Sequence, residues 1–506
     1  MTKNDLVWRN FMLYMYIVIL VRVLCVGRSD YRRRMFEVTA LLSVFLVCIV
    51  IYYLYTNFKR QKNLPPGPTP WPVFGNSILF KKDPHGYKRL TELSKEYGDI
   101  YTLYCGSTVI IILNGYDAIH EAFVKQSSTF TDRPQLFVPL IGVSKGTGDD
   151  KPWKELRRFT LQTLRDFGVG KKSLEERIQE EITVVSDMLS ETNGKPVRVK
   201  PHLLSAATNI ICSIMFGARF QYDESKFTEL TGVLEAIFKL NAPFAKENFF
   251  PVTRMFPSGI ELIKKRSQAI EKIKRYIATT IEEHKSLFDP DNIRDFIDLY
   301  INATRDNTNP ELFTESNVYK IIVDLFLAGG ETTGTSLDWA LLYMISFPEI
   351  QKKSFSCKQH FLLQVIGFNR LIGLEDRVTF SLPHVANKDA KLMGFNIPKD
   401  AIIIANLYSA HMDTKYWENP EKFKPERFLD LSGKLKRREA FVPFSTGPRL
   451  CIGEPLARME LFLFFANLLQ KFNFKMSSEI TPQSLDGIQA LTLTPLPYEL
   501  IAVKRH

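Results

Sequence analysis

The sequence predicts a mainly α-helical domain with a small β portion, preceded by one N-terminal transmembrane helix. Long segments carry apolar residues at spacings of three and four, the period of an amphipathic helix. Two short apolar segments on either side of Gly106 predict a pair of strands. An uncharged segment at residues 38–55 approaches the roughly 20 residues that a membrane-spanning helix needs.

Composition places most of the 506-residue chain among globular proteins. It has 45% hydrophobic and 12% aromatic residues, enough for a large core. The formal net charge of +11 suits anionic lipid, an acidic protein partner or nucleic acid. We exclude nucleic acid, because the basic residues are scattered and no zinc-finger, RNP or helix-turn-helix pattern occurs.

The cysteines indicate a reduced, cytosol-facing domain. None of them forms a C-x-x-C pair, so the sequence predicts neither a zinc site nor a disulfide framework. Without further context, each is interpreted as a small buried hydrophobic residue. The six are Cys25, Cys48, Cys105, Cys212, Cys357 and Cys451.

We divide the chain into four parts. Residues 1–35 are an extension of uncertain status, 36–57 a transmembrane anchor, 58–76 a Pro-rich linker and 77–506 the catalytic domain. Basic residues flank the anchor on both sides, so charge alone leaves its orientation open. The prolines of the linker favour a stiff, extended connector.

The domain begins as mixed structure and then becomes helical. Residues 101–113 are predicted to form the two strands, and 116–124 a helix. Apolar periodicity predicts further helices over 153–164, 174–189 and 260–287.

Two helices near the C-terminal half are of special interest. Residues 315–347 predict a long helix ended by Pro348, yet its centre, 328–336, reads AGGETTGTS. Adjacent glycines each cost up to about 1 kcal/mol relative to Ala in a helix. A long helix with such a centre suggests a functional site. Residues 456–469 are apolar almost all round and predict a buried helix.

Residues 444–453 read FSTGPRLCIG and place Cys451 in a glycine-containing loop. Gly447 and Gly453 would permit a tight turn and a close approach to a flat ligand. A cysteine thiolate can hold haem iron, to which it donates electron density.

This decapeptide matches the haem-binding signature F-x-x-G-x-R-x-C-x-G of the cytochromes P450 at every fixed position. The chain therefore resembles a microsomal, membrane-anchored cytochrome P450 of the family 2 type. The resemblance implies the cytochrome P450 fold and haem b with Cys451 as its axial metal ligand. It further implies that Arg449 pairs with a haem propionate and that Phe444 shields the sulfur.

Three other segments match the family. Residues 328–333 resemble its oxygen-binding motif, so Gly329 would border the haem while Glu331 and Thr332 would be the catalytic acid and alcohol. The alternative is a packing helix with unusual glycines. Trp153 and Arg157 match its W-x-x-x-R pair, which binds a propionate, although a surface Arg beside a buried Trp is common.

His384, in the segment Leu-Pro-His, resembles a further propionate contact of the microsomal enzymes.

One family element is missing. Arg427, in FKPERF, would normally complete a triad with an E-x-x-R helix, but no E-x-x-R occurs between Pro348 and Lys388. Residues 354–364 also look foreign to the pattern. We hypothesise a splicing or gene-model fault, with an insert followed by loss of the helix. Arg427 would then be a buried charge without its partner, at a cost of about 3–5 kcal/mol.

The resemblance implies insertion of one atom of dioxygen into an apolar xenobiotic, fatty acid or related lipid. NADPH–cytochrome P450 reductase would supply electrons, with cytochrome b5 as an optional second partner. The domain would face the cytosol from the endoplasmic reticulum membrane, held by a single span. A basic segment, 434–438, could face the acidic reductase, and a solvated loop is an equally good interpretation of it. The alternatives are a decayed, haem-free member and a reductase-independent haem-thiolate isomerase.

Overall fold

A computed structural model describes most of the chain downstream of residue 62. The described residues are single positions between 39 and 51, then 63–80 without 72, 86–134, 151–169, 172–240, 246–305, 311–356, 379–477 without 433, 485, 487–489 and 492–505.

Helices make up most of this structure, as the sequence predicts. They are α1 (Gly86–Tyr97), α2 (Gly115–His120), α3 (Ser127–Phe130), α4 (Lys151–Asp166), α5 (Lys172–Glu191), α6 (Lys200–Met215), α7 (Ser225–Leu240), α8 (Lys246–Phe249), α9 (Pro257–Ser286), α10 (Phe296–Arg305), α11 (Glu315–Ser346), α12 (Pro348–Ser356), α13 (Leu407–His411) and α14 (Glu454–Lys471). A π-helical turn at Glu121–Lys125 continues α2, and short 3₁₀ turns lie at Ser77–Phe80, Pro251–Met255, Pro425–Phe428 and Gly447–Arg449. Each helix predicted from periodicity is confirmed within a few residues.

The β portion is small and divided. Its strands are β1 (Ile100–Cys105), β2 (Thr108–Leu113), β3 (His384–Val385), β4 (Ala390–Leu392), β5 (Phe395–Ile397), β6 (Ile402–Ala405), β7 (Phe472–Met476), β8 (Gly487–Gln489), β9 (Leu493–Pro495) and β10 (Leu500–Lys504). Four of them form one sheet in the order β1-β2-β6-β3, and the others pair as β7 with β10, β4 with β5 and β8 with β9.

The predicted strand pair is confirmed and explains how distant segments meet. β1 and β2 are antiparallel from the Ile100–Leu113 pair to the Cys105–Thr108 pair. β2 then pairs in parallel with β6, so residues near 110 lie beside residues near 403. This pairing brings His384, on β3, into the same sheet.

The long helix α11 is continuous through its glycine-rich centre and crosses α6 at close range. A Cβ at Gly334 would lie 2.8 Å from Leu204 Cα, and a Cβ at Gly330 would lie 2.5 Å from Thr208 Oγ1. A Cβ at Gly329 would collide with the Ile211 side chain. The glycines therefore permit two helices to pack with almost no space between them.

The segment predicted as a linker runs along β1 in its described part. Thr102 donates its backbone N–H to Pro66 O (2.7 Å), and Asn76 donates its own to Tyr104 O (2.6 Å). Upstream, the described positions between 39 and 51 are helical. Within the described residues, none of the helices combines the length and the apolar character that a membrane crossing requires.

Several predictions fall outside the described residues. They are the extension at 1–35, most of the anchor at 36–57, and residues 357–378, which contain most of the presumed insert and the place where the E-x-x-R helix is missing.

Candidate functional site

Cys451 lies in a tight loop just before helix α14. Its backbone N–H donates to Phe444 O (3.0 Å), which closes the loop. The backbone amides of Gly453 and Glu454 hydrogen-bond to its sulfur, where the N-terminus of α14 favours negative charge. Burial raises the pKa of the Cys451 thiol, whereas these amides and Arg157 lower it.

We infer that the surface of Cys451 borders a recess inside the fold. The residue is exposed by surface area, although protein atoms surround it densely. Both observations are satisfied if the sulfur faces an internal space. Cys105 and Cys212, by contrast, are buried, and burial raises the pKa of the Cys105 thiol to about 12.

Beside this loop, Trp153 and two arginines form a stack. The Arg449 guanidinium lies 3.6 Å from the centre of the Trp153 ring, and that of Arg157 lies 5.9 Å from it. Arg449 also donates to Thr131 O (3.1 Å), and Arg157 donates to Leu450 O. The predicted W-x-x-x-R pair and the signature arginine, almost 300 residues apart in sequence, are therefore neighbours.

Arg133, which the sequence analysis missed, completes a group of three arginines. It donates through one nitrogen to Leu382 O (2.8 Å) and Pro383 O (2.9 Å). Burial, together with the charges of Arg449 and Arg157, lowers the pKa of Arg133 to about 9. No local pattern distinguishes Arg133 from other arginines, because its partners come from distant loops.

His384 lies against the same arginines. Its ring stacks on Phe123, with ring centres 4.0 Å apart, and its Nδ1 lies 2.7 Å from Phe130 O. Burial, then the charges of Arg133 and Arg449, hold the pKa of His384 well below its usual range. Its Nδ1 must carry the proton, since a carbonyl oxygen only accepts.

The arginine group has the electrostatics of a binding site for a dianion. Within the described residues, Arg133 and Arg157 pair with no carboxylate, and the buried Nε of Arg133 has no hydrogen-bond partner. Buried cations without counter-ions are unfavourable unless a ligand supplies the negative charge. A haem with its two propionates, held at Cys451 on the neighbouring loop, fits this requirement.

The predicted acid and alcohol lie on α11. Thr332 is half-buried and donates its hydroxyl to Ala328 O (2.6 Å). Glu331 is buried, accepts from Thr335 Oγ1 (3.1 Å) and forms an ion pair with Lys200, whose Nζ lies 3.7 Å from Oε1. Burial raises the pKa of Glu331, while Lys200 and Thr335 lower it and Glu235 raises it further.

The three glycines of the predicted site have different surroundings. A Cβ at Gly447, where φ is +79°, would collide with the Phe123 carbonyl oxygen, so this glycine seats the loop on the π-helical turn. A Cβ at Gly453 meets only Cys451 Sγ, at 3.9 Å. Gly329 packs on Ile211, so contact of these three glycines with a cofactor stays a prediction. The Phe444 ring lies 5.1 Å from the Arg458 guanidinium.

Arg427 is not the orphaned buried charge that the sequence analysis expected. It is half-buried and donates to three backbone carbonyls: Asn419 O (2.9 Å), Lys422 O (3.0 Å) and Lys424 O (3.2 Å). Arg438 donates in turn to Arg427 O (2.8 Å). The segment 419–438 therefore stabilises its own arginine without the E-x-x-R helix.

Comparison with known proteins gives one consistent result. The family model described as "Cytochrome P450" matches residues 65–377 and 374–502, two segments that meet where the sequence lacks E-x-x-R. The chain is 38% identical over 503 residues to cytochrome P450 2C23 of Rattus norvegicus, covering 92% of this chain and 99% of that protein. It is 37% identical over 476 residues to cytochrome P450 2B4 of Oryctolagus cuniculus (88% and 94%), and 36% identical over 504 residues to cytochrome P450 2B19 of Mus musculus (93% and 100%).

Proposed function

The chain belongs to the cytochrome P450 family, as a family 2-like haem-thiolate monooxygenase with haem b as its cofactor, and from this premise we propose that Cys451 is the axial thiolate. The observation that carries the proposal is the position of Cys451. Cys451 is exposed, which we attribute to the inferred recess, and two backbone amides at the start of α14 hydrogen-bond to its sulfur. Such donors stabilise a thiolate and tune its electron donation.

The arginine group would bind the propionates. Arg133, Arg157 and Arg449 supply the charge, and Trp153 holds two of the guanidinium planes by cation–π contact. His384 donates from Nδ1 to a protein carbonyl, so it would present Nε2 to the ligand. Contact with a carboxylate there requires either a shared proton or an imidazolium, which a nearby carboxylate would favour.

Bound haem b would supply the oxygen chemistry, in which one atom of dioxygen enters the substrate and the other leaves as water. The chain has to supply protons for that water. The Thr332 oxygen, whose hydrogen is committed to Ala328 O, retains lone pairs that can accept from a water molecule. Glu331, one residue away, would pass protons towards it as a general acid.

The substrate would be an apolar xenobiotic, fatty acid or related lipid. Leu325, Phe326 and Leu327 are buried on α11 just before Ala328, which is exposed although the helix runs through the interior. An exposed alanine on an interior helix supports a space beside α11 at this point, which we propose as the substrate side of the site. An apolar boundary favours binding by the removal of apolar surface from water.

NADPH–cytochrome P450 reductase would supply the electrons, with cytochrome b5 as a further donor. Lys434, Lys436 and Arg437 are exposed and shortly precede the Cys451 loop. Exposed lysines and arginines steer an acidic partner and accelerate its association. Arg438 contributes less, because it is committed to Arg427 O.

The domain would face the cytosol from the endoplasmic reticulum membrane, anchored by residues 36–57. Two apolar segments, one at the end of the predicted linker (71–78) and one at 252–260, support contact with lipid. Phe74 and Phe250 bring the segments together, with ring centres 6.1 Å apart. We call their exposed apolar side chains the apolar patch: Trp71, Val73, Phe74, Ile78, Val252, Met255, Phe256 and Ile260. A contiguous exposed patch of this kind is typical of a membrane or protein contact.

The axial ligand is tested by the carbon monoxide difference spectrum of the reduced protein. We expect the red-shifted Soret band of thiolate ligation in the wild type and in Cys105→Ser, and its loss in Cys451→Ser. A band retained in Cys451→Ser would contradict the assignment. No haem signal from well-folded wild type would instead indicate a decayed, haem-free member.

The reaction is tested by adding purified reductase, NADPH and a panel of fatty acids and drug-like compounds. A monooxygenase consumes NADPH and dioxygen together with product formation. Turnover of a peroxide substrate without reductase would instead indicate an isomerase. Flotation with vesicles rich in anionic lipid tests the membrane contact, which should weaken when Phe74 and Phe256 are both replaced by Ser.

A further inference from the structure

Lys200 reaches the buried acid of the predicted proton path from another helix. It is the first residue of α6, and its side chain is 29% exposed. Its Nζ lies 3.7 Å from Oε1 of Glu331, whose side chain is only 5% exposed. The ion pair therefore connects a carboxylate inside the protein with a cation that water can reach.

The close crossing of α6 and α11 holds this pair in place. Gly334 allows α11 to approach the backbone of Leu204, one turn after Lys200, and Gly330 allows the approach to Thr208. The first turn of α6 is thereby held beside residues 331–335. The backbone of Lys200 therefore lies next to the helix that carries Glu331, within reach of its carboxylate.

The other groups around Glu331 leave Lys200 with a distinct role. Thr335 donates to the same oxygen, Oε1, and the second oxygen, Oε2, has no hydrogen-bond partner among the residues that the structure describes. Glu235, on α7, acts on Glu331 with a like charge, and Lys200 is the one cation among the charges that act on it in the described residues. Glu460, on α14, interacts with the neighbouring Thr333 instead.

We propose that Lys200 is a positioning residue for proton delivery: its ammonium directs the Glu331 carboxylate to the α6 side of α11 and stabilises its charge while Oε2 remains free to exchange a proton. This inference rests on the proposed role of Glu331. When protonated, Glu331 gives one proton to a water beside Thr332 and becomes a carboxylate. It then takes one proton from solvent, so each cycle returns it to its starting state.

Lys200 acts at the carboxylate stage of that cycle. A carboxylate formed in a buried site is unfavourable without an opposite charge, which makes its conjugate acid a poor donor. The ammonium 3.7 Å away supplies that charge. Without it the acid holds its proton more tightly, and the transfer slows.

The test compares Lys200→Met and Lys200→Arg with wild type. Lys272→Met is the matched control, because Lys272 forms an exposed ion pair with Glu229 (2.9 Å) between helices α9 and α7, and neither residue is among the charges that act on Glu331 in the described residues. The protonation of Glu331 is followed by infrared difference spectroscopy across a pH series, with Glu331→Gln identifying its carboxyl band. The same preparations give the pH profile of turnover and the share of NADPH recovered as product.

We expect the Glu331 titration to move to higher pH in Lys200→Met, to return towards wild type in Lys200→Arg, and to stay unchanged in Lys272→Met. Turnover at neutral pH should fall by about tenfold to a hundredfold in Lys200→Met, at or below the low end of the range for losing a general acid. The pH profile should move in the same direction as the titration.

An unshifted titration in Lys200→Met overturns the proposal, and so does a shift that Lys200→Arg fails to reverse or that Lys272→Met shares. A shifted titration with an unchanged pH profile overturns the link to proton delivery. The infrared titration needs no turnover. If no preparation oxidises any substrate, the proposed function fails while the Lys200–Glu331 coupling is still decided.

Discussion

Replacing Gly334 by Ala tests whether the crossing of α6 and α11 is as close as the structure indicates. The added Cβ would lie 2.8 Å from Leu204 Cα, 3.1 Å from Leu204 N and 3.4 Å from Leu203 C. All three are backbone atoms, so no side-chain rotation can relieve the contact. The helices must separate by several tenths of an ångström along a well-packed interface.

The expected change in the free energy of unfolding follows from two opposing terms. Ala is about 1 kcal/mol better than Gly in a helix interior, which stabilises the variant. Overpacking typically costs about 1–3 kcal/mol, and a backbone contact belongs at the upper end of that range. Gly334→Ala should therefore be destabilised by about 1–2 kcal/mol.

Gly232→Ala is the matched control. Gly232 lies inside helix α7, and a Cβ there meets nothing within 4 Å. It should gain about 0.5–1 kcal/mol from helix propensity alone. Denaturant unfolding followed by far-ultraviolet circular dichroism, with all proteins in the same cofactor state, measures both. If Gly334→Ala is as stable as Gly232→Ala, the helices do not pack as described.

Three further outcomes are expected. Burial raises the pKa of Glu460 from 4.5 to about 8, so between these pH values the folded protein retains a proton that the unfolded chain releases. The free energy of unfolding should therefore fall by up to about 5 kcal/mol as the pH rises through this window. Equilibrium unfolding at several pH values measures this, and the pH dependence should be weaker in Glu460→Gln. Arg133→Gln should stabilise the haem-free protein, because it relieves repulsion from two arginines. It should nevertheless accelerate the loss of haem from the loaded protein, measured by transfer to apomyoglobin. A variant that loses haem no faster than wild type would refute a propionate-binding role for Arg133. Arg427→Ala should lower the free energy of unfolding by about 1–3 kcal/mol and make residues 419–438 accessible to chymotrypsin, because three carbonyls lose their hydrogen-bond donor. Arg437→Ala is the control and should behave as wild type, because Arg437 is exposed.

Arg427 is the residue for which the motif predicted the wrong environment. The missing E-x-x-R suggested a buried charge without a partner, because the family places a carboxylate there. In the structure the arginine turns to carbonyls within its own segment, at residues 419, 422 and 424. A sequence pattern names an expected partner, but only coordinates show which acceptors a flexible side chain can reach.

The sequence by itself determined what is encoded within short windows. The loop around Cys451 is identified by ten consecutive residues, α11 by a long helical pattern that ends at Pro348, and α14 by a segment that is apolar almost all round. Glu331 and Thr332 are likewise neighbours in one helix. Such features depend on local geometry, which neighbouring residues fix.

Only the tertiary structure decided the rest. Arg133 and Arg157 meet Arg449 because the segment around residue 133 and helix α4 fold against a loop about 300 residues further along the chain. Lys200 meets Glu331 because the α11 glycines allow α6 to approach closely. The same glycines suggested a functional site in the sequence, and the close packing of α6 on α11 explains Gly330 and Gly334. Contacts between distant segments depend on how whole helices and sheets pack, which no local pattern contains.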